Sequence, residues 1–403
     1  MKRLLLPTLV LAACHSPPER GNGTFASDVE FLREHVQTLV LTSPTGAKVA
    51  VVPAYQGRVM TSMVGGGRPD SFGWINRDLI ASGKFVEHIN VFGGEDRFWL
   101  GPEGGQFSVF FKPGSKFDLT DWQTPAPIDS EPFELVDSTA DSARFRQQFD
   151  LTNRSGTRFR VAVGREVRIR DANEVLTRLG VEPAVGVHAV CFETVNTVQN
   201  AGQNAWQKDS GLLSIWILGM FNASPASTVL VPFVNGPERY HGPVVNDEYF
   251  GKVPADRLYV DQDRSLITFR ADARHRGKIG VGPKRAKPVM GSWDAARGVL
   301  TLVEFTLPVD ARDYVNSLWK LQDEPYAGDV VNSYNDGPST PGGLGFGNFY
   351  ELESSSPALA LAPGAIATHT HRTTHLVGPR PALAAIAQHV LGAELNALTS
   401  PQP

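Results

Sequence analysis

The stretch ARFRQQFDLTNRSGTRFRVAVGREVRIRD, residues 143–171, shows the pattern that decides the fold. Apolar residues alternate with charged or polar ones on both sides of the segment 153–156, as in two half-buried strands joined by a tight turn. Such an alternation places the apolar side chains on one face of a sheet and the polar ones on the other. The stretch therefore predicts an antiparallel β-hairpin.

The same pattern recurs along the chain, at residues 39–53 (LVLTSPTGAKVAVVP), 256–272 (DRLYVDQDRSLITFRAD) and 293–308 (WDAARGVLTLVEFTLP). Turn residues separate the strands in each of these stretches, and 39 glycines and 29 prolines break the rest of the chain into short segments. No long amphipathic helix interrupts them. The sequence thus predicts an all-β fold, a large antiparallel β-sandwich.

Helical patterns occur near the two ends. Residues 27–30 (SDVE) form a capping-box pattern and are followed by apolar residues at helical spacing, which predicts a short helix at the start of the folded part. Residues 381–395 (PALAAIAQHVLGAEL) carry apolar side chains on one helical face and a proline at the start. We interpret this second segment as a C-terminal helix that packs on the sandwich, with a partner-binding tail as the alternative.

The first residues predict export. Lys2 and Arg3 precede an apolar run, residues 4–13, that is too short to span a bilayer and is typical of a signal peptide. LAAC, ending at Cys14, resembles the lipobox of bacterial lipoproteins, which implies lipidation of the Cys14 sulfur. We therefore predict a lipoprotein signal peptide (1–13), a tether (14–26), one β domain (27–378) and a C-terminal helix and tail (379–403). The expected location is the bacterial cell envelope, on the outer membrane, facing the periplasm or the cell surface.

The charge balance argues against nucleic acid as a partner. The chain has 38 basic and 42 acidic residues, for a formal charge of −4, and loss of Lys2 and Arg3 with the signal peptide makes it more negative. A nucleic-acid-binding domain is usually strongly basic. The sequence also lacks a GxSxG elbow, an HExxH motif and a glycine-rich phosphate loop, which argues against serine-hydrolase, zincin and nucleotide-binding functions.

Candidate catalytic residues are concentrated in residues 349–375 (FYELESSSPALALAPGAIATHTHRTTH). If the two halves of this stretch are neighbouring strands, Glu351 and Glu353 share a face, and so do His369, His371 and His375. A glutamate with a raised pKa and a histidine near neutrality can remove and return a proton. We therefore predict Glu351 or Glu353 as the base and His371 as the acid, in one polar pocket.

Two other interpretations of these residues remain open. His369 and His371 lie two positions apart on a strand, roughly 7 Å at about 3.3 Å per residue, so both could bind a divalent metal together with a cross-strand glutamate. The same side chains could instead form a hydrogen-bonded ladder that only stabilises the sheet. The acid–base interpretation requires no cofactor. In the metal interpretation, the cofactor would be a divalent metal.

Candidate substrate-binding residues lie in a glycine-rich segment, residues 88–111 (HINVFGGEDRFWLGPEGGQFSVFF). Sugars present apolar ring faces edged by hydroxyl groups, so a sugar pocket needs an aromatic plate beside charged hydrogen-bonding groups. The alternative is a structural turn whose arginine pairs with a neighbouring acid and whose tryptophan fills the core. Three lesser candidates are YQGR (55–58), RYHG (239–242) and YNDG (334–337), of which the last is explained most simply as a turn. The predicted substrate-binding residues are Arg58, Glu95, Asp96, Arg97, Trp99, Glu103 and His241.

Six sequence segments carry a family resemblance. They are YQGRVMTS (55–62), GGEDRFWLGPEGGQFSVFF (93–111), GLLSIWILGMF (211–221), KIGVGPKRAKPVMGSWD (278–294), FYELESSSPALAL (349–361) and HTHRTTH (369–375). In these segments the chain resembles a bacterial lipoprotein family of unknown function, related to the galactose-mutarotase-like (aldose 1-epimerase-related) superfamily. The resemblance implies a β-supersandwich whose concave face holds a sugar. It also implies a glutamate base late in the chain, at Glu351 or Glu353.

These observations together predict an envelope-anchored carbohydrate-active protein that transfers protons on a sugar or sugar acid, as in epimerisation or elimination. The expected partners are a small carbohydrate or glycan and, through Cys14, a membrane. One alternative is a surface lipoprotein that binds carbohydrate without catalysis. The other is an enzyme that depends on a metal held by histidine and glutamate.

Overall fold

The strands dominate the computed structural model, which describes residues 23–66, 68–182, 184–338 and 343–398. In chain order the strands are β1 (Leu39–Thr42), β2 (Lys48–Val52), β3 (Arg58–Met63), β4 (Arg97–Gly101), β5 (Glu134–Ser138), β6 (Ser142–Thr152), β7 (Arg158–Arg170), β8 (His188–Asn200), β9 (Ser214–Asn222), β10 (Ser227–Pro232), β11 (Leu258–Asp261), β12 (Leu266–Arg270), β13 (Gly277–Val281), β14 (Val289–Asp294), β15 (Val299–Phe305), β16 (Val331–Asn335), β17 (Phe349–Ser355) and β18 (Ile366–Val377).

The helices are short; the first precedes the strands, and the others lie between or after them. They are α1 (Phe25–His35), α2 (Arg77–Ser82), α3 (Ala172–Arg178), α4 (Glu238–His241) and α5 (Arg380–Leu391), with 3-10 turns at Pro53–Tyr55, Ala126–Ile128 and Lys208–Ser210. None of the helices in the described ranges has the length and apolar character needed to cross a membrane. The predicted signal peptide, Cys14 and most of the predicted tether lie outside the described residues.

The strands form antiparallel sheets of three, ten and five strands. The small sheet has the order β1-β2-β3, and the large sheet has the order β11-β12-β10-β14-β15-β18-β8-β7-β6-β5. The five-stranded sheet has the order β13-β16-β17-β9-β4, so strands from distant parts of the chain become neighbours. The predicted all-β, supersandwich-type fold with short helices near both ends is confirmed.

The five-stranded sheet packs with one face on the ten-stranded sheet. Phe98 and Leu100 of β4 and Ile215 and Ile217 of β9 are fully buried in a core that also contains Phe145 of β6. Polar contacts cross the same interface, because the hydroxyl groups of Ser292 on β14 and Tyr350 on β17 lie 2.7 Å apart. Side chains on the alternate positions of the five-stranded sheet must therefore point away from this core.

The hairpins that the sequence predicts are present. β6 pairs along its full length with residues 158–168 of β7, around a turn at residues 153–157. The pairs β1/β2, β11/β12 and β14/β15 are also antiparallel neighbours, as predicted. The first helix begins at Phe25, and the Thr24 hydroxyl caps it by accepting from the Ser27 amide, so the helix starts slightly before the predicted capping box. α5 buries Leu383, Ile386 and Leu391.

The prediction that residues 349–375 form one pair of neighbouring strands was wrong. β17 pairs with β9 and β16 in the five-stranded sheet. β18 pairs with β8 and β15 in the ten-stranded sheet. The segment 356–365 is therefore a crossover between two packed sheets, and the glutamates and histidines belong to different layers of the sandwich.

Candidate functional site

The candidate site lies on the face of the five-stranded sheet that points away from the sandwich core. Along β17, Tyr350 and Leu352 pack into the core, so Glu351 and Glu353 point to the opposite face. The same alternation places Trp216, Leu218 and Met220 of β9 on that outer face, beside Tyr334 of β16. Side chains from residues 88–122, a segment that includes β4, and from the loops around residues 250 and 319 surround this face and form a cavity with it.

The walls of the cavity are mainly aromatic. Trp99 of β4 meets Trp216 of β9 edge to face, with ring centroids 5.4 Å apart. Trp122 and Trp319, from loops above the sheet, stack with centroids 5.9 Å apart. About 570 Å³ of empty space lies between the walls, part of it open to solvent.

Two ion pairs form the charged floor of the cavity. Arg97 donates to the Glu351 carboxylate at 3.0 Å, and Lys278 donates to Glu353 at 2.9 Å. Trp216 also donates its indole N–H to Glu353 at 2.9 Å. All five side chains are nearly buried, so the pairs replace hydration that each charge has lost.

Burial changes the protonation of the glutamates in this floor. Burial and the neighbouring Glu353 raise the pKa of Glu351 to about 8, although Arg97 and Lys278 oppose the shift. Burial also raises the pKa of Glu103, which lines the same cavity. Burial alone would lower the pKa of Lys278, but the carboxylates of Glu353 and Glu103 outweigh it and raise this pKa. The pKa of Glu351 therefore lies close enough to neutrality for its carboxyl group to take up and release a proton there.

Several buried polar atoms of the cavity residues have no hydrogen-bond partner among the residues that the structure describes. The donors are the Nε of Arg97 and the indole nitrogens of Trp99 and Trp122, and the acceptor is Oε1 of Glu353. An unpaired buried polar group costs about 1–3 kcal/mol, so such groups are rare unless a ligand or water completes them. The cavity thus offers both donors and an acceptor to a polar molecule.

The structure brings together some of the predicted catalytic residues and some of the predicted substrate-binding residues. Arg97, Trp99 and Glu103, from the glycine-rich segment, line the cavity with Glu351. Glu353 lies beside them through its contacts with Lys278 and Trp216. The Arg97 guanidinium carbon lies 4.0 Å from the centre of the Trp99 ring. The alternative that Arg97 pairs with Asp96 or Glu95 is wrong, because its partner is Glu351.

His369 and His371 lie on the other side of the five-stranded sheet. Both rings share the Ser354 hydroxyl, at 2.8 Å each, and Ser354 alternates with the cavity glutamates along β17. Burial lowers the pKa of His369 to about 3 and that of His371 to about 4, so both rings are neutral at pH 7. The prediction that the histidines and glutamates share one pocket was wrong, since the backbone of β17 separates them.

The metal interpretation finds no complete ligand set in the structure. Within the described ranges, no group of three or more histidine, cysteine, aspartate or glutamate side chains could hold a metal ion. His369 and His371 converge on a serine hydroxyl, and the glutamates of β17 point to the opposite face. These positions fit the ladder interpretation, in which the histidines join the two sheets.

The remaining predicted substrate-binding residues lie outside the cavity. Glu95 accepts from Ser62 and lies 2.9 Å from His375, inside the sandwich. Asp96 pairs with Arg165 at 2.5 Å, with both side chains fully buried.

Arg58 is also fully buried and donates to the Gly93 carbonyl and to Gln56. His241, at the end of α4, lies against the Lys284 carbonyl at the surface. Arg58, Glu95 and Asp96 therefore stabilise the interior, and His241 belongs to a different part of the surface.

A comparison with family models identifies the relationship of the chain. Residues 23–401 match the model of the Family of unknown function DUF6786. The chain belongs to this family. The predicted membership of a family of unknown function is thus confirmed, and no protein with a curated description matches the sequence.

This DUF6786 chain is similar in fold to solved structures of low sequence identity. One is a galactose mutarotase-like protein from Lactobacillus casei, with TM-score 0.44 and 11% identity, covering 84% of this chain and 100% of that one. Another is a galactose mutarotase related enzyme from Lactobacillus acidophilus, with TM-score 0.47, 10% identity and coverages of 84% and 97%. A third is the Slr1438 protein from Synechocystis sp. PCC 6803, with TM-score 0.47, 12% identity and coverages of 85% and 96%.

Sequence reasoning missed several residues of the cavity. Lys278 reaches it because β13 pairs with β16 and β16 pairs with β17, and no local sequence pattern predicts these pairings. Trp216 lies in an apolar strand and has the pattern of a core residue. Arg276 and Trp319 come from loops. The one available signal was Lys278, which begins the apolar run KIGV. A lysine is rarely buried without a partner, so its place in a buried strand indicates a partner nearby.

Proposed function

We propose that the cavity binds a carbohydrate and that Glu351 transfers a proton to or from it. The observation that carries this proposal is the buried Arg97–Glu351 pair, 3.0 Å long, in the floor of a cavity walled by tryptophans. The protein would then catalyse a proton-transfer reaction such as epimerisation or elimination on a sugar or sugar acid.

The walls and the floor of the cavity match the surface of a sugar. A pyranose has apolar faces that pack on indole rings, and Trp99, Trp122 and Trp319 supply such rings. Its hydroxyl groups both donate and accept hydrogen bonds. The unpartnered donors of Arg97 and the tryptophans, together with Oε1 of Glu353, would be satisfied by hydroxyl groups of this kind.

Glu351 has the properties of a proton-transfer group. Catalysis by a general acid or base is most effective when the pKa of the group lies near the working pH, and the pKa of Glu351 is raised to about 8. Arg97 fixes the carboxyl group and stabilises the anion that forms when the proton leaves. Glu103 is a second cavity carboxyl group with a raised pKa, and it could return the proton at another position.

The experiment compares turnover in two glutamate variants. A panel of aldoses, uronic acids and their epimers is followed by NMR with wild type, Glu351→Gln and the control Glu193→Gln. Glu193 is also nearly buried and paired with an arginine, Arg372, but it lies on the ten-stranded sheet. We expect Glu351→Gln to lose about 100-fold or more in rate and the control to retain its rate.

Two other outcomes would change the assignment. Turnover that Glu351→Gln leaves unchanged would remove Glu351 from the mechanism. Saturable binding with no product from any sugar would support the alternative function, a carbohydrate-binding protein without catalysis.

We further propose that the chain is held at the cell envelope by a lipid on Cys14. The LAAC sequence that ends at Cys14 and the basic and apolar residues before it support this location. Metabolic labelling with a fatty acid analogue tests it: label should enter the wild-type protein and be absent from Cys14→Ser. Equal labelling of both would contradict the proposal.

A further inference from the structure

One of the three cations that line the cavity has no counter-ion in the described part of the chain. Arg97 is paired with Glu351, and Lys278 is paired with Glu353. Arg276, immediately before β13, has no carboxylate within ion-pair distance among the described residues, and no hydrogen bond from its side chain is formed there. This guanidinium is therefore available to a ligand.

The surroundings of Arg276 hold its side chain at the cavity. Its guanidinium carbon lies 4.0 Å from the centre of the Phe250 ring, and Phe250 itself lines the cavity. The side chain is half-buried, and its Nε is buried without a partner. A guanidinium that is stacked on an aromatic ring keeps its N–H groups free to bind an oxyanion in the ring's neighbourhood.

The nearby acids do not neutralise Arg276. Asp336 accepts from the Tyr334 hydroxyl and from the Gly347 amide, both at 2.7 Å. Glu103 lines the same cavity but lies beyond ion-pair distance of Arg276; burial raises its pKa, and the charge of Arg276 opposes this rise. The cavity therefore contains a cation, Arg276, whose charge no described carboxylate balances within ion-pair distance. Such a cavity favours an anionic ligand.

We propose that the sugar bound in this cavity is a sugar acid, whose carboxylate pairs with the Arg276 guanidinium. This inference rests on the proposed carbohydrate-binding function and names its substrate class. Arginine binds carboxylates through two parallel hydrogen bonds, which also fix the orientation of the sugar. A carboxylate brings a single negative charge and balances one unpaired guanidinium. A phosphate monoester would bring a second negative charge, which a single guanidinium does not balance.

The experiment measures affinities of matched acid and neutral sugars by isothermal titration calorimetry at pH 7. The probes are D-galacturonate and D-glucuronate, each against D-galactose and D-glucose, with the hexose 6-phosphates as a third arm. We expect at least one uronate to bind tighter than its neutral partner by about tenfold or more, the value of one charge-assisted pair. This comparison needs only the wild-type protein.

Two variants then assign the preference to Arg276. Arg276→Gln should bring the uronate to the affinity of the neutral sugar and leave the neutral sugar within about twofold. Arg239→Gln is the matched control, because Arg239 also stacks on an aromatic ring, Tyr240 at 4.7 Å, but lies outside the cavity. It should change neither affinity, and Arg276→Lys should restore part of the preference.

The possible failures are distinguishable. Equal affinity for uronates and neutral sugars, or a preference that Arg276→Gln leaves intact, would overturn this inference while the proposed function stands. Preference for a hexose 6-phosphate over the uronate would overturn the carboxylate assignment. Failure of all the sugars to bind would overturn the proposed function and this inference with it.

Discussion

Arg97 and Glu351 are 254 positions apart in the chain, yet the guanidinium of one donates to the carboxylate of the other at 3.0 Å. The contact exists because β4 and β17 both pair with β9, from opposite sides. It closes the floor of the cavity and controls the ionisation of the carboxyl group that we propose as catalytic.

The positive charge of Arg97 should lower the pKa of Glu351 and so shift the pH at which Glu351 transfers a proton. Replacing Arg97 with glutamine removes the group that stabilises the Glu351 anion, so the pKa of Glu351 should rise further, by about one unit or more. In the pH profile of kcat/KM, the midpoint assigned to Glu351 should therefore move to higher pH in Arg97→Gln. Arg239→Gln should leave it in place, and an unchanged midpoint in Arg97→Gln would contradict the assignment.

Glu351 should make the protein less stable as pH rises. Its pKa is about 8 in the folded protein and about 4.5 when unfolded, so between these values the folded state holds the extra proton. The free energy of unfolding should fall with rising pH across this window, by on the order of 1 kcal/mol per unit. Urea unfolding at several pH values should show this fall in wild type relative to Glu351→Gln. A constant difference between the two proteins would exclude a raised pKa.

The Lys278–Glu353 pair should show strong coupling in a double-mutant cycle. Lys278→Met leaves the fully buried Glu353 without its cation, which should cost about 3–5 kcal/mol of unfolding free energy. Adding Glu353→Gln removes the uncompensated charge, so the double variant should be more stable than Lys278→Met alone. Additive losses in denaturant unfolding would mean that the two side chains do not form a buried pair.

Local features of the fold could be predicted from the sequence, because each predicted hairpin is formed by residues that are close in the chain. The stretch 143–171 contains both strands of its hairpin and the turn between them, and β6 and β7 pair accordingly. The same holds for the C-terminal helix, whose apolar face is visible in the sequence alone. Alternation along β17 also predicted correctly that Glu351 and Glu353 share a face.

Relationships between distant strands could not be predicted in this way. The segment 356–365 has the composition of a hairpin loop, but it connects two sheets, and strand alternation gives no information about which sheet the next strand joins. His369 and His371 were therefore placed beside the glutamates, whereas they lie behind them. Lys278 on β13 contacts Glu353 on β17 across the intervening strand β16. The local sequence does not indicate that these three strands are adjacent.

The buried histidines should limit stability in acid and leave sugar binding unchanged. The pKa values of His369 and His371 are lowered to about 3 and about 4, and both would be near 6.5 in the unfolded chain. The unfolded state thus binds more protons below pH 6.5, and stability should fall as pH decreases toward 4. His371→Gln should weaken this acid dependence in denaturant unfolding and retain wild-type affinity for D-galacturonate. A large loss of affinity in a folded His371→Gln variant would mean that the His371 ring contributes to the sugar-binding site.

The most direct measurement is an NMR titration of the Glu351 carboxyl carbon in protein labelled with 13C-glutamate, with the signal assigned by its absence in Glu351→Gln. The midpoint should lie near pH 8, and it should move when D-galacturonate is added, because the sugar then contacts the carboxyl group or its partner Arg97. A midpoint near that of an ordinary exposed glutamate, about 4.3, unaffected by every sugar tested, would contradict a proton-transfer role for Glu351.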